Sequence, residues 1–352
     1  MHTAARPASS VSAVVPATTR VAVAGATGYT GQELLRLLSR HPAITLTAAM
    51  SSGSSSSGVR TLPALARLWN GAIEPFAREP LAREADVVFL ALPDGAAADL
   101  APDLVDAGIR VVDLSGAFRL SDAEVRAHWY PDTHRLPAGV AYGLTERHHD
   151  AVERARLVAN PGCYPTAALL ALAPLVDAGL VLAASDVIVD AKSGISGAGK
   201  TPSERTHFSE CHGSLSAYGV FNHRHGAEIE QSIGREVTFT PHLVPLDRGI
   251  LSTIYVRVAP GTTEDALAEV FEQAYSRAPF VRLVGASLPE IKHVAHTNFC
   301  DIGWRVDRSG RAILVSVIDN LLKGASGQAV QNMNVMLGFS EKLWLTQVAL
   351  FP

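Results

Sequence analysis

In the stretch Asn160-Pro161-Gly162-Cys163-Tyr164-Pro165-Thr166 a cysteine sits where a helix is expected to begin. Pro161 and Gly162 interrupt the apolar run Leu157-Val158-Ala159, Pro165 suits a first helical turn, and residues 167–176 are good helix formers. Free backbone N–H groups and the positive end of the helix dipole favour a thiolate, so the position predicts a lowered pKa and a nucleophile at neutral pH. The bland alternative is a small buried hydrophobe. A nucleophilic cysteine needs a proton carrier, and the densest source is Tyr218-Gly219-Val220-Phe221-Asn222-His223-Arg224-His225. The chain has 13 histidines, so chance proximity competes with that reading. His207, Cys211, His212, His223 and His225 also lie close in sequence, but their spacing matches no zinc pattern and no C-x-x-C accompanies them, so no metal is expected.

A hydride donor is suggested further upstream. The apolar run Arg20-Val21-Ala22-Val23-Ala24 reads as a buried parallel strand and leads into Gly25-Ala26-Thr27-Gly28-Tyr29-Thr30-Gly31, then into an amphipathic helix over residues 32–40. Strand, glycine turn and helix form a dinucleotide site, in which glycines let the backbone approach a pyrophosphate at a helix N-terminus. The next strand, residues 44–50, ends in Met50-Ser51-Ser52-Gly53 and not in the Asp or Glu that binds an NAD ribose, with Arg60 just beyond. NADP is therefore preferred, against the alternative of a flexible Ser/Gly linker. Further βα units are expected over residues 86–92, 95–107 and 110–114. Arg119, in Asp113-Leu114-Ser115-Gly116-Ala117-Phe118-Arg119, is either a solvated surface charge or a clamp for a phosphate or carboxylate.

Beyond Cys163 the pattern changes. A strand over residues 186–192 leads into Ser193-Gly194-Ile195-Ser196-Gly197-Ala198-Gly199-Lys200, whose amides suit an anion nest. Long β-branched strands over 236–244 and 250–259, a helix over 263–277, and two strands joined through Asp307-Arg308-Ser309-Gly310 point to a second domain with a mixed or antiparallel sheet. A final helix over residues 328–337 is expected to pack back on the first domain. The expected architecture is α/β: residues 1–19 a disordered tail, 20–160 with 320–352 a Rossmann-type NADP-binding domain, and 161–319 an α+β catalytic and dimerisation domain.

Composition narrows the class. The chain has 352 residues, 47% hydrophobic and 18% charged, with a net charge of −4 that argues against a nucleic-acid surface. No window resembles a membrane helix. Three widely spaced cysteines suit a reducing cytoplasm better than a disulfide framework. A thiolate, a proton donor, a nicotinamide site and two anion-binding loops suit an acyl phosphate substrate, without choosing its acyl group.

These motifs together resemble the N-acetyl-γ-glutamyl-phosphate reductases of arginine biosynthesis, over nearly the whole chain from residue 20. The resemblance rests on Gly25 to Gly31, Asp113 to Arg119, Pro161 to Thr166, Ser193 to Lys200, His223-Arg224-His225 with Glu228-Ile229, and Asp319-Asn320-Leu321-Leu322-Lys323-Gly324. It implies the semialdehyde dehydrogenase fold, a catalytic thiolate at Cys163, a general acid/base at His223, and substrate contacts at Ser115, Arg119 and Tyr218. Cofactor contacts with NADP(H) are expected at Gly25, Thr27, Gly28, Tyr29, Thr30, Gly31, Ser51, Ser52, Gly194, Ser196, Gly197 and Asn320. A homodimer or homotetramer is the default assembly. Two departures touch the ligand edge: Asp94 stands where many members carry histidine, and Gly116-Ala117 where many read Ala-Asp. The rivals are a sister enzyme acting on aspartyl or N-acyl-aminoadipyl phosphate and a catalytically silent NADP-binding regulator.

Overall fold

The computed structural model describes residues 18–52 and 58–350. Of the tail, only Thr18 and Thr19 fall among the described residues, and Thr19 already belongs to the first strand. Residues 53–57 of the serine-rich stretch lie outside them.

Six strands form a parallel sheet: β1 (Thr19–Ala24), β2 (Ile44–Met50), β3 (Val87–Leu90), β4 (Arg110–Asp113), β5 (Ala141–Tyr142) and β6 (Leu157–Ala159), in the order β2-β1-β3-β4-β6-β5. Val21 to Ala24 and Val87 to Leu90 are wholly buried, as expected where helices cover both faces of a sheet. Those helices are α1 (Tyr29–Leu38), α2 (Arg78–Glu84), α3 (Asp94–Asp106), α4 (Ala123–Trp129) and α5 (Thr145–Arg154). Leu34, Leu35, Leu37 and Leu38 of α1 bury against the sheet. At about 1.5–3 kcal/mol per buried aliphatic side chain, that stripe fixes the helix to the strands.

After β6 comes α6 (Cys163–Asp177), in which Tyr164 through Leu175 are all buried. A helix apolar on every side belongs in a core, and α6 packs on the second sheet. Pro174 lies inside it, where it cannot donate to Leu170; the Tyr275 hydroxyl donates to that carbonyl instead, so the helix continues to Asp177. The second sheet contains β7 (Ile188–Gly194), β8 (Ser216–Ala217), β9 (Thr238–Val244), β10 (Ile250–Arg257), β11 (Val281–Gly285), β12 (Cys300–Val306) and β13 (Arg311–Ile318), in the order β11-β12-β13-β10-β7-β9-β8. It is mixed: β7 with β9 and β11 with β12 run parallel, while β10, β12 and β13 pair antiparallel. With it go α7 (Phe208–Cys211), α8 (Arg224–Ile233) and α9 (Glu264–Tyr275), the last capped by the Thr263 side chain.

The chain then returns. A π-turn over Leu322–Ser326 leads into α10 (Gly327–Met336), whose Ala329, Val330 and Met333 join the core of the first sheet beside α1. Lys323 enters this region fully buried. Its ammonium donates to Glu146 on α5, itself fully buried at the side chain, and to Gln331 on α10. An ion pair without water is neutral at best against an apolar pair, but half of it is costly. Lys323→Met is therefore expected to cost about 3–5 kcal/mol in chemical denaturation, and adding Glu146→Gln should recover much of the loss. Equal destabilisation by the single and double variants would show that the charges are not what matters.

Candidate active site

Cys163 is the first residue of α6, and Gly162 is the extended N-cap with no side-chain cap. Pro165 has no N–H and the Thr166 amide bonds Gly162, so the first turn leaves the amides of Cys163 and Tyr164 for the sulfur. The thiol is half-buried, and Gly324 of the π-turn lies against its Cβ. The expected lowered pKa is not found: desolvation pushes the Cys163 thiol up to about 11, although Arg119 and the two amides pull it down. The loss of hydration on packing into this turn outweighs the amides and Arg119 together.

Behind Cys163 lies the carboxylate of Glu228, fully buried on α8. It accepts from the Gly162 amide at 2.8 Å and the Tyr142 hydroxyl at 2.6 Å, and pairs with Arg119 Nη1 at 3.4 Å. Arg119 is buried too, with Nε on the Asn160 carbonyl at 2.8 Å and Nη2 on the Leu114 carbonyl at 3.0 Å. Burial works against its charge, but Glu228 together with Tyr130, Tyr142 and Asp113 outweighs it, so its pKa is raised. The guanidinium is thus committed to protein partners, although it still lines the cleft beside Cys163. Ser115 is likewise engaged: its hydroxyl donates to Asp113 at 2.7 Å and accepts from the Ala117 amide. Burial lifts Asp113 to about 6 despite those bonds from Ser115.

The two histidines of the triplet part company. His223 caps α8, its Nδ1 accepting the His225 amide at 3.1 Å. Its ring is packed among Tyr164, Tyr218 and Phe239 and lines a small cavity of about 140 Å³ with Trp129 and Gly219. Burial and then Arg224 push it down to about 4. His225 instead lines the cleft of about 400 Å³ that contains Cys163 and Arg119. A Cβ on Gly162 would stand 2.4 Å from its Nε2, so only glycine lets the ring approach this turn. Its Nδ1 is buried without a partner, and burial, followed by His223 and the two arginines, holds its pKa well below the ordinary value. Tyr218 lies 3.2 Å from the Tyr164 hydroxyl, with Arg205 over its ring, and is not part of the cleft lining.

Gly28, Tyr29, Thr30 and Gly31, at the uncapped start of α1, line the same cleft, which is how a pyrophosphate would meet free amides. Gly25 acts through the backbone: its φ is +91°, and a Cβ there would fall 2.0 Å from the Ala91 carbonyl oxygen. The Thr27 carbonyl accepts from Lys200 Nζ at 3.3 Å, which spans the cleft. Ser196, Gly197 and Asn320 line the opposite wall; Asn320 donates to Ser196 Oγ at 2.9 Å and accepts the Gly249 amide at 2.7 Å. Gly194 closes β7 against the Arg248 backbone, outside the lining. Ser51, buried at the end of β2, and the exposed Ser52 also lie outside it. Sequence reasoning gave Glu228 and Asp94 no role at this site; for Glu228 the signal was its spacing of three from His225 on α8, which puts both on one helical face. Among the described residues no three His, Cys, Asp or Glu side chains converge as a metal site requires, and no helix is long and apolar enough to cross a membrane.

Residues 20–155 match the family of the semialdehyde dehydrogenase NAD binding domain, and residues 163–320 that of the semialdehyde dehydrogenase dimerisation domain. The site therefore serves a nicotinamide cofactor. The fold is similar to that of aspartate semialdehyde dehydrogenase II from Vibrio cholerae, with a TM-score of 0.69 at 18% identity over 91% of this chain and 99% of that one. It is also similar to the Candida albicans aspartate semialdehyde dehydrogenase with NADP, with a TM-score of 0.68 at 18% identity over 91% and 98% of the two chains. Sequence similarity is much higher to the N-acetyl-gamma-glutamyl-phosphate reductase of Syntrophobacter fumaroxidans, at 49% identity over 92% of this chain and 96% of the relative. The reductase of the same name from Methanocaldococcus jannaschii is 42% identical over 94% and 99%. By its two domains, its fold and these identities, the chain belongs to the N-acetyl-gamma-glutamyl-phosphate reductase family of semialdehyde dehydrogenases.

Proposed function

We propose that this protein reduces N-acetyl-L-γ-glutamyl phosphate to N-acetyl-L-glutamate 5-semialdehyde with NADPH, releasing phosphate. The observation that carries the reading is the shared cleft: Cys163 at the start of α6 and the glycine turn at the start of α1 face one cavity. When bound there, the nicotinamide supplies a hydride. Cys163 loses its proton, attacks the γ-carbonyl and expels phosphate, leaving an acyl thioester. The amides of Cys163 and Tyr164 bond the oxygen as it gains charge. Hydride arriving at the carbonyl carbon leaves an oxyanion that is protonated to a thiohemiacetal; as the C–S bond breaks, that proton is taken back from the oxygen, the sulfur leaves as thiolate and the aldehyde is freed. NADP over NAD is supported by the lack of a carboxylate in Met50-Ser51-Ser52.

The proton is carried within the His-Arg-His triplet. The family resemblance pointed to His223; the cleft favours His225, which faces the thiol's cavity while His223 orients it from behind. Arg119 and Glu228 hold the turn that carries Cys163, and Ser196 with Asn320 wall the nicotinamide side. Ile188, Tyr255 and Ile313 are exposed on the outer side of the second sheet, which supports assembly through that domain as a homodimer or homotetramer. Three free cysteines support a cytoplasmic location.

Run in the oxidative, phosphate-dependent direction, the wild type is expected to prefer N-acetylglutamate semialdehyde to aspartate semialdehyde, and NADP to NAD. Cys163→Ser should abolish turnover while NADPH still binds in a fluorescence titration; retained turnover rules the thiol out. His225→Asn is expected to lower kcat about 10²–10⁴-fold and flatten one limb of the pH profile, with a smaller loss for His223→Asn. The reverse ranking returns the proton to His223. With its pKa near 11 the free thiol is protonated at neutral pH, so alkylation of Cys163 by iodoacetamide should rise about tenfold per pH unit between roughly pH 7 and 9, without a plateau.

A further inference from the structure

The cleft contains one carboxylate whose position the proposed reaction does not explain. Asp94, the first residue of α3, accepts the Gly116 amide at 2.7 Å through one oxygen, and through the other pairs with Arg224 Nη1 from the start of α8. Asp94, Gly116 and Arg224 all line the cleft with Cys163. Beneath them lies Tyr130: its ring fills the space beside Gly116, the Arg224 guanidinium sits 5.6 Å above it, and it is only 2% exposed. Its buried hydroxyl has no hydrogen-bond partner. A backbone N–H and a guanidinium hold one carboxylate at the edge of a reaction cleft, with an unused hydroxyl buried beneath the Gly116 and Arg224 that hold it; together they make a carboxylate-binding subsite already filled by a side chain of the same protein. The other cleft arginine, Arg119, is committed to Glu228, Asn160 and Leu114.

We propose that Gly116, Arg224 and Tyr130 form the subsite for the carboxylate of the acyl substrate, and that Asp94 is an internal stand-in which the substrate carboxylate displaces. The inference rests on the proposed function, because it needs a substrate with a carboxylate beside its reacting carbon chain. Arg224 joins α8 to the first-domain elements carrying Asp94 and Gly116, so exchanging one carboxylate for another keeps the two sides of the cleft bridged. The device selects acids: a neutral acyl group gains nothing by displacing Asp94.

The test compares KM for N-acetylglutamate semialdehyde with KM for N-acetyl-4-aminobutanal, which has the same aldehyde and no carboxylate. Charge-assisted bonds of this kind correspond to about 10–100-fold in affinity. Arg224→Met is expected to raise KM for the acid by about that factor and leave the neutral aldehyde within about twofold. Asp94→Asn, which keeps the shape but loses the charge, should lower KM for the acid severalfold. Equal effects of Arg224→Met on both aldehydes, or a rise in KM for the acid in Asp94→Asn, would overturn the assignment. A readout without turnover separates this from the activity itself: N-acetylglutamate should protect Cys163 from alkylation in the wild type, better in Asp94→Asn and not in Arg224→Met. Protection in that pattern with no turnover of the semialdehyde would sink the proposed reaction and keep the subsite; turnover with no difference in protection would do the opposite.

Discussion

A carboxylate taken wholly out of water must satisfy its oxygens on protein donors, and Glu228 does so with groups from distant parts of the chain. Arg119 follows β4, Tyr142 ends β5, Gly162 precedes α6, and Glu228 itself belongs to α8 of the second domain. The first two belong to the dinucleotide-binding domain, the last to the layer that covers the second sheet. Cys163 sits at the meeting point. Its position is set less by the helix that it begins than by this buried pair, which pins the residue before it.

The segment that crosses back from the second sheet works in the same way. Asp319, fully buried, accepts the amides of Leu321, Leu322 and His296 and pairs with Arg248, whose other partner is Glu33 on α1. The next residue, Asn320, fixes Ser196 against the cleft. The wall of the cofactor site, the start of α10 and the underside of α1 are therefore connected by one short stretch of chain. Lys323 continues it into the first domain. Polar groups at this depth are tolerated because nearly all are paired, and the pairs make the geometry specific.

The chemistry at Cys163 is a contest between two effects of opposite sign. Amides and Arg119 favour thiolate; burial opposes it and wins in the resting protein. A thiol kept protonated is protected from adventitious oxidants and needs a base when substrate arrives, the part that the proposed mechanism gives to His225 on the cleft wall.

Much of this was legible in the residues alone. The glycine turn between β1 and α1, the cysteine at the head of α6 and the hairpin at Asp307–Gly310 are local features, and turn chemistry and periodicity report local structure directly. The exposed-looking strand β11, the helix α5 with its polar Thr-Glu-Arg-His-His start, and the pairing of Lys323 with Glu146 were not legible, because each exists through contacts with residues far away in sequence. The same holds at the site. The sequence by itself determined that a thiol, imidazoles and a nucleotide turn belong to one protein. Which histidine faces the thiol, whether Arg119 is free or committed, and which way the thiol pKa moves were decided only by tertiary structure: the phase of α8 against α6 and the burial of Glu228 depend on how the two sheets meet.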